Sequence, residues 1–185
     1  MRFNMGCGQN KQAGYINVDA AAACDPDEVW DLEATPWPWE TGCATAILFN
    51  HSLEHMGHTP KVFLAIMQEI YRIAAPDCEV QINVPHPRHD NFLSDPTHVR
   101  PISPATLQLF DRQLNEKWAQ TGEANTPLAL YLGVDFELVT TALTPTRGYS
   151  ENMKSGAMTR AEFDEAARLY NNVISEYRLT LRVRK

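Results

Sequence analysis

The stretch Phe3-Asn4-Met5-Gly6-Cys7-Gly8, answered by Ile16-Asn17-Val18-Asp19, constrains the fold of this chain more than any other. The first piece reads as a short strand ending in a Gly-x-Gly turn, the second as a short strand ending in a carboxylate. Glycine at the carboxyl end of a strand lets the main chain approach a ligand with no Cβ in between. An acid at the end of the next strand is placed to accept hydrogen bonds from ribose hydroxyls. Both features are used if a nucleoside lies across the carboxyl edge of a parallel sheet; the plainer alternative is a tight turn with no ligand. A dinucleotide is disfavoured, because GxGxxG requires glycine where Lys11 stands. Only nine residues, 7 to 15, separate Gly6 from Ile16, too few for a helix and two connections.

The remaining pattern supports one α/β domain over residues 1–185. Glu28 to Leu32 reads as a third short strand, and the prolines of Thr35-Pro-Trp-Pro-Trp39 force a loop. Ala44 to Asn50 is a continuous apolar run, expected of a strand buried on both faces. Thr59-Pro60 starts a helix whose Phe63, Ile66, Met67, Ile70 and Ile73 form one stripe, ending before Pro76. Glu79 to Val84 alternates as a fifth strand. This βα succession predicts a mostly parallel sheet with ligands at the strand carboxyl ends. Residues 85–104 are rich in His, Pro, Asp and Arg and read as a substrate-side loop. A helix is expected over 105–120, a sixth strand over 136–143 and an irregular insertion over 144–158. Thr159-x-x-Glu162 opens a helix expected over 159–175, with a last strand from Tyr177 to Val183.

Twenty-three acidic against 16 basic residues leave a net charge of −7, which argues against a nucleic-acid backbone as partner. No apolar run reaches the length of a membrane span, and the N-terminus carries no signal-peptide pattern. Cys7, Cys24, Cys43 and Cys78 have no CxxC spacing, so reduced core thiols and a cytoplasmic location are expected.

Taken together, Gly6-Cys7-Gly8, Asp19, Asp31-Leu32, Pro36-Trp37-Pro38-Trp39 and Leu53-Glu54-His55 resemble a class I S-adenosylmethionine (SAM)-dependent methyltransferase of the small, compact type. Tyr71 to Pro76 and Val84-Pro85 match the same family, and the resemblance covers roughly residues 1 to 100. It implies a Rossmann-like sheet, here without the helices that usually precede the first strand and without the helix after it. It also implies S-adenosyl-L-methionine as cofactor, with the main chain of Gly6, Cys7, Gly8 and Gln9 on its methionine portion and Asp19 on its ribose. Asp31 would take the adenine amino group, Leu32 would lie against the ring, and Asn50 and His51 would line the methyl-donor side. Asn4, Asn10, Thr45 and Asp77-Cys78 depart from the family pattern.

Strand alternation adds that one sheet face is dry and the other polar, with Asn4, Asn17, Gln81, Asn83, Arg178, Thr180 and Arg182 on the polar side. That face is expected to be covered by the helix over 159–175 or by a second subunit, a homodimer. Substrate residues are expected in the loop: His86, Arg88, His89, Asp95 and Arg100, with the arginines holding a carboxylate or phosphate. His98 is the first choice for a general base and His51 the second. A metal on His86, His89 and an aspartate lacks any standard spacing, so no metal is expected; a solvated lid is the plain alternative. Glu54 and His55 are expected to be structural, and Trp37 and Trp39 to serve either as loop anchors or as a wall beside adenine. The expected activity is methyl transfer to a small-molecule acceptor, oxygen first. The alternative is a non-catalytic protein that retains the fold to bind SAM or a nucleoside.

Overall fold

The computed structural model describes residues 1–185. Strands β1 (Arg2–Met5), β2 (Ile16–Asp19), β3 (Glu28–Val29), β4 (Ala44–Asn50), β5 (Ala74–Pro85), β6 (Phe136–Pro145) and β7 (Ile174–Val183) form one sheet. Its order is β3-β2-β1-β4-β5-β7-β6. Every pairing is parallel except those of β7, which runs antiparallel to β5 and β6. The chain builds outward from β1 through β2 to β3, then returns to place β4 on the other side of β1. This reversal is the switch point at which open α/β sheets take their ligands.

Helix α1 (Pro60–Ile73) carries the crossover from β4 to β5, with Thr59 as N-cap and Pro60 in the first turn. Its stripe of Phe63, Ile66, Met67, Ile70 and Ile73 is buried on Phe3, Met5, Ile47, Phe49, Val80, Ile82 and Val84 in one core. Four short helices link β5 to β6: α2 (Asp90–Leu93), α3 (Pro104–Gln108), α4 (Arg112–Thr121) and α5 (Leu128–Leu132). Helices α6 (Arg147–Ser155) and α7 (Arg160–Leu169) link β6 to β7.

As expected, no helix separates β1 from β2. A polar network pins the connecting loop instead. Asn4, 1% exposed, donates through Nδ2 to the Asn10 carbonyl at 3.0 Å and to Asn17 Oδ1 at 2.9 Å. Asn17 Oδ1 also accepts from the Gln12 amide at 2.7 Å, and Asn17 Nδ2 donates to Asp27 Oδ2 at 2.7 Å. Asparagine at positions 4 and 17 therefore replaces helix packing with hydrogen bonds to the backbone of a ten-residue connection, and Asp27 is held below its ordinary value by the Asn17 amides.

The polar sheet face bears no layer of helices. Gln81, Arg178 and Arg182 are exposed, and Leu48, Asn50, Asn83 and Thr180 only half-buried. Helix α7 does not lie across them. Its Phe163 and Ala166 pack on Leu143 of β6 and on Val173 and Ile174 at the start of β7, together with Tyr149 and Met153 of α6.

Several boundaries differ from the sequence reading. The single helix over 105–120 is two helices, because Phe110 is buried between them and Asp111 caps α4 by accepting from the Leu114 amide at 3.1 Å. Residues 147–155 are helical rather than irregular, and α5 was not anticipated. The helix opened by the Thr159–Glu162 capping box stops at Leu169, since Asn172 turns the chain at φ +61° into β7. β5 begins at Ala74, earlier than alternation indicated.

Candidate functional site

A cavity of about 440 Å³ opens at the switch point, a size ordinary for a small-molecule site. Gly6 and Gly8 follow β1, Asp19 and Ala20 end β2, Trp30 to Glu33 follow β3, and His51, Ser52, His55 and Met56 follow β4. Four strand ends thus supply the whole lining.

Two glycines do different work here. Gly6, at φ +68°, sits so close to the segment after β4 that an added Cβ would lie 2.6 Å from Ser52 Cβ. Ser52 donates from Oγ to the Met5 carbonyl at 2.7 Å and clamps the two strand ends together. Gly8, at φ +48°, faces open space, with nothing within 4 Å of an added Cβ. It leaves main chain bare at the cavity rim. Asp19 Oδ2 accepts from the Gly8 amide at 2.8 Å, and Oδ1 accepts from the Ala21 amide at 2.9 Å. A carboxylate has about four lone-pair sites, so each oxygen keeps one for a ligand hydroxyl.

The far wall is held from behind. Asp31 forms a turn by accepting from the Glu33 amide at 2.9 Å, while Leu32 is buried and its carbonyl accepts from Trp37 Nε1 at 3.0 Å. Trp37 and Trp39 are anchors in the core and do not line the cavity. Their loop is fixed to α1: the Trp37 amide donates to Glu69 Oε2 at 2.6 Å, and Arg72 donates to the Trp37 and Trp39 carbonyls at 3.0 and 2.8 Å. The Arg72 guanidinium and the Trp37 amide hold the Glu69 carboxyl below its ordinary value against the effect of burial.

His51 leaves β4 at φ +54°, a conformation sparsely used by residues with a Cβ, which sets its ring at the cavity wall. The side chain is 47% exposed; Nε2 lies 2.8 Å from Glu176 Oε2 and Nδ1 lies 3.6 Å from Glu54 Oε1. Glu54 and then Glu176 push its pKa above 6.5, against partial burial.

Other expected residues lie elsewhere. Only Gly6 and Gly8 of the 6–9 turn reach the lining; Cys7 is buried and Gln9 is exposed outside it. Asn50 points to the polar face, where Oδ1 accepts from Asn83 Nδ2 at 3.0 Å. His98 stands behind His55, its Nδ1 bonded to the Phe92 carbonyl at 2.9 Å, outside the lining. The two arginines already have partners. Arg88 donates to Asn171 and the Ala167 and Arg168 carbonyls, and Arg100 donates to the Gly57 carbonyl while stacking on Phe63. His86 is buried beside Tyr177 and accepts from the Arg88 amide, His89 caps α2, and Asp95 closes a turn on Thr97. The polar groups of the loop from 85 to 104 are thus bonded to one another and to neighbouring segments of the chain. Ala20, Trp30, Glu33, Ser52, His55 and Met56 are lining residues the sequence reading missed, His55 having been expected to be structural. Their signal was position alone, immediately after a strand end.

No protein-family model matches the chain, and no curated protein matches it in sequence. Solved structures do. A SAM-dependent methyltransferase from Archaeoglobus fulgidus superposes with a TM-score of 0.64 at 16% identity, over 97% of this chain and 84% of that one. A SAM-dependent methyltransferase from Methanosarcina mazei gives 0.57 at 11% identity, over 98% and 91%. The cyclase SpnF gives 0.53 at 14% identity, over 98% and 74%. The seven-stranded order with one antiparallel strand, the site at its switch point and these likenesses together establish that the chain has the class I SAM-dependent methyltransferase fold.

Proposed function

We propose that the cavity binds S-adenosylmethionine and that the protein transfers its methyl group to a small or surface-accessible acceptor, an oxygen nucleophile first. The observation that carries this reading is the charge of the lining. Asp19, Asp31 and Glu33 contribute three carboxylates, and no Lys or Arg is present. Such a cavity repels the diphosphate of a dinucleotide and suits a ligand with positive groups. SAM has that character, and the Archaeoglobus and Methanosarcina neighbours are named SAM-dependent methyltransferases. The fit extends to individual groups: Gly8 leaves a cradle that a Cβ would fill, and Asp19 retains acceptor sites for ribose.

When bound, SAM supplies an electrophilic methyl on a sulfonium. The chain's own contribution is chiefly positioning, because in-line displacement demands a fixed approach. His51, at the wall after β4, is the group placed to take the acceptor's proton, with Glu176 orienting its ring. His98 does not reach the cavity and is not assigned that role.

A second reading is binding without methyl transfer, favoured by one finding: SpnF, which shares the fold, is named a cyclase. Calorimetry with SAM and S-adenosylhomocysteine tests the binding common to both readings. Turnover of labelled SAM over a panel of acceptors, in wild type and His51→Gln, separates them. The transferase reading expects His51→Gln to bind SAM normally and to lose turnover. A wild type that binds SAM yet labels no acceptor would favour the second reading, and one that binds neither ligand would end both.

A further inference from the structure

Behind the cavity wall, Glu54 is 1% exposed, and neither carboxylate oxygen has a hydrogen-bond partner. His51 Nδ1, on the ring whose pKa Glu54 raises, stands 3.6 Å from Oε1, within ion-pair distance but making no hydrogen bond. A buried, unbonded carboxylate is rare and unfavourable in a native protein unless a cation or metal completes it. Two further imidazoles flank it. One donor atom each from Glu54, His55 and His98 lies within 4.8 Å of the others.

The hydrogen bonds fix which ring nitrogens are free. His98 Nδ1 meets the Phe92 carbonyl at 2.9 Å, and a carbonyl only accepts, so that nitrogen carries the proton. Thr97 donates its hydroxyl to Asp95 Oδ1 at 2.6 Å and therefore accepts from His55 Nδ1 at 2.9 Å. In the neutral form of either ring, Nε2 is therefore the nitrogen without a proton. Tying the far nitrogen to a carbonyl or a hydroxyl relay is how proteins orient metal-ligating imidazoles. The backbone is fixed as well, since the Val99 and Arg100 amides both donate to the Glu54 carbonyl, at 3.0 and 3.1 Å. The two segments are held together independently of the three side chains. Asp95 Oδ2, 3.9 Å from His98 Nε2, adds a further carboxylate at the edge.

We propose that Glu54, His55 and His98 form a three-ligand site for a divalent transition metal ion, with a remaining coordination position on the cavity side, where His55 lines the wall. Two nitrogens and one carboxylate favour Zn²⁺ or Fe²⁺ and their neighbours over Mg²⁺ or Ca²⁺. Bonds of about 2.0–2.1 Å put tetrahedral ligands about 3.4 Å apart. The ligand atoms lie within 4.8 Å of one another in the present structure, and a bound ion would draw all three together. This is not the set of His86, His89 and an aspartate that the sequence disfavoured, and it departs from the expectation of no metal. His86 is spent on Arg88 and His89 on the α2 cap, and the site draws on the Leu53-Glu54-His55 turn instead. The proposal does not depend on the transferase reading, because it concerns the metal alone.

The test titrates chelator-treated, dialysed full-length protein with Zn²⁺ by calorimetry and with Co²⁺ by visible absorption. One equivalent should bind, and Co²⁺ should give the visible bands of a low-coordinate site. His55→Ala, at an exposed position that leaves the fold intact, should weaken binding at least about a hundredfold, as should Glu54→Gln. Thr97→Ala should weaken it about 10- to 100-fold through the loss of the His55 relay. If Glu54→Gln does not fold, as circular dichroism would show, His55→Ala decides. No saturable binding to wild type, or binding that His55→Ala leaves unchanged, overturns the assignment.

Discussion

Substituting alanine at Gly6 and at Gly8 separates what the turn does for the fold from what it does for the ligand. Both glycines have positive φ, so each alanine costs about 1–2 kcal/mol in the backbone. At Gly6 the new Cβ also meets Ser52 Cβ at 2.6 Å, with Met56 Cε at 3.3 Å. Relieving that contact parts β1 from the segment after β4 and adds about 1–3 kcal/mol. Gly6→Ala should therefore lose about 2–5 kcal/mol, a large share of the roughly 5–15 kcal/mol that a domain possesses. At Gly8 nothing lies within 4 Å, so only the backbone term applies to stability. The added methyl instead occupies space the ligand uses, and about 1–3 kcal/mol of crowding corresponds to about 5- to 150-fold weaker SAM binding. Urea denaturation reads the first effect and calorimetry on the folded variants the second. If Gly8→Ala binds SAM as wild type does, the main-chain cradle is wrongly placed. If Gly6→Ala is as stable as wild type, the close approach is not the reason for glycine there.

Asn17→Ala removes the acceptor for Asn4 and the Gln12 amide, and should destabilise by about 2–4 kcal/mol in urea while loosening residues 9–15 to hydrogen exchange; an unchanged midpoint would refute the network. Glu69 should contribute to the pH dependence of stability. Its folded pKa is lowered below 4.5 by Arg72 and the Trp37 amide, so its contribution is full above about pH 4.5 and disappears as pH falls through the folded value. Glu69→Gln should thus be less stable than wild type at pH 7, with the gap narrowing towards pH 3 in thermal melts, and a gap constant with pH would contradict this. The open polar face, with Gln81, Arg178, Thr180 and Arg182, should pair with a second copy. Light scattering is expected to give twice the 20.9 kDa chain mass, and Thr180→Glu is expected to reduce it to one; a monomeric wild type would sink the idea.

The fold was legible because its signals are local and repeated. The glycine turn, the Asp19 carboxylate, the apolar run of β4 and the stripe of α1 each follow from one short segment. The absence of a helix after β1 was readable from a count of residues alone. The site was legible only where the main chain or a strand end defines it, at Gly6, Gly8, Asp19, Asp31, Leu32 and His51. The loop from 85 to 104 misled because His, Asp and Arg look the same in sequence whether they meet a substrate or each other. Arg100 is held by the Gly57 carbonyl 43 residues away, a partner no local pattern reveals. Helix ends failed for a related reason: Asp111 and Asn172 redirect the chain through capping and a positive φ, and apolar periodicity runs through both points. Glu54 looked structural in sequence, and only its burial without a partner marks it out.

The most direct measurement of the account is a crystal structure grown with S-adenosylhomocysteine. The account predicts density along the carboxyl edge of β1, β2 and β4, with the amino-acid tail over Gly6 and Gly8 and both ribose hydroxyls on Asp19. Clear density for the ligand in another place, or a cavity closed by the protein's own side chains, would contradict it.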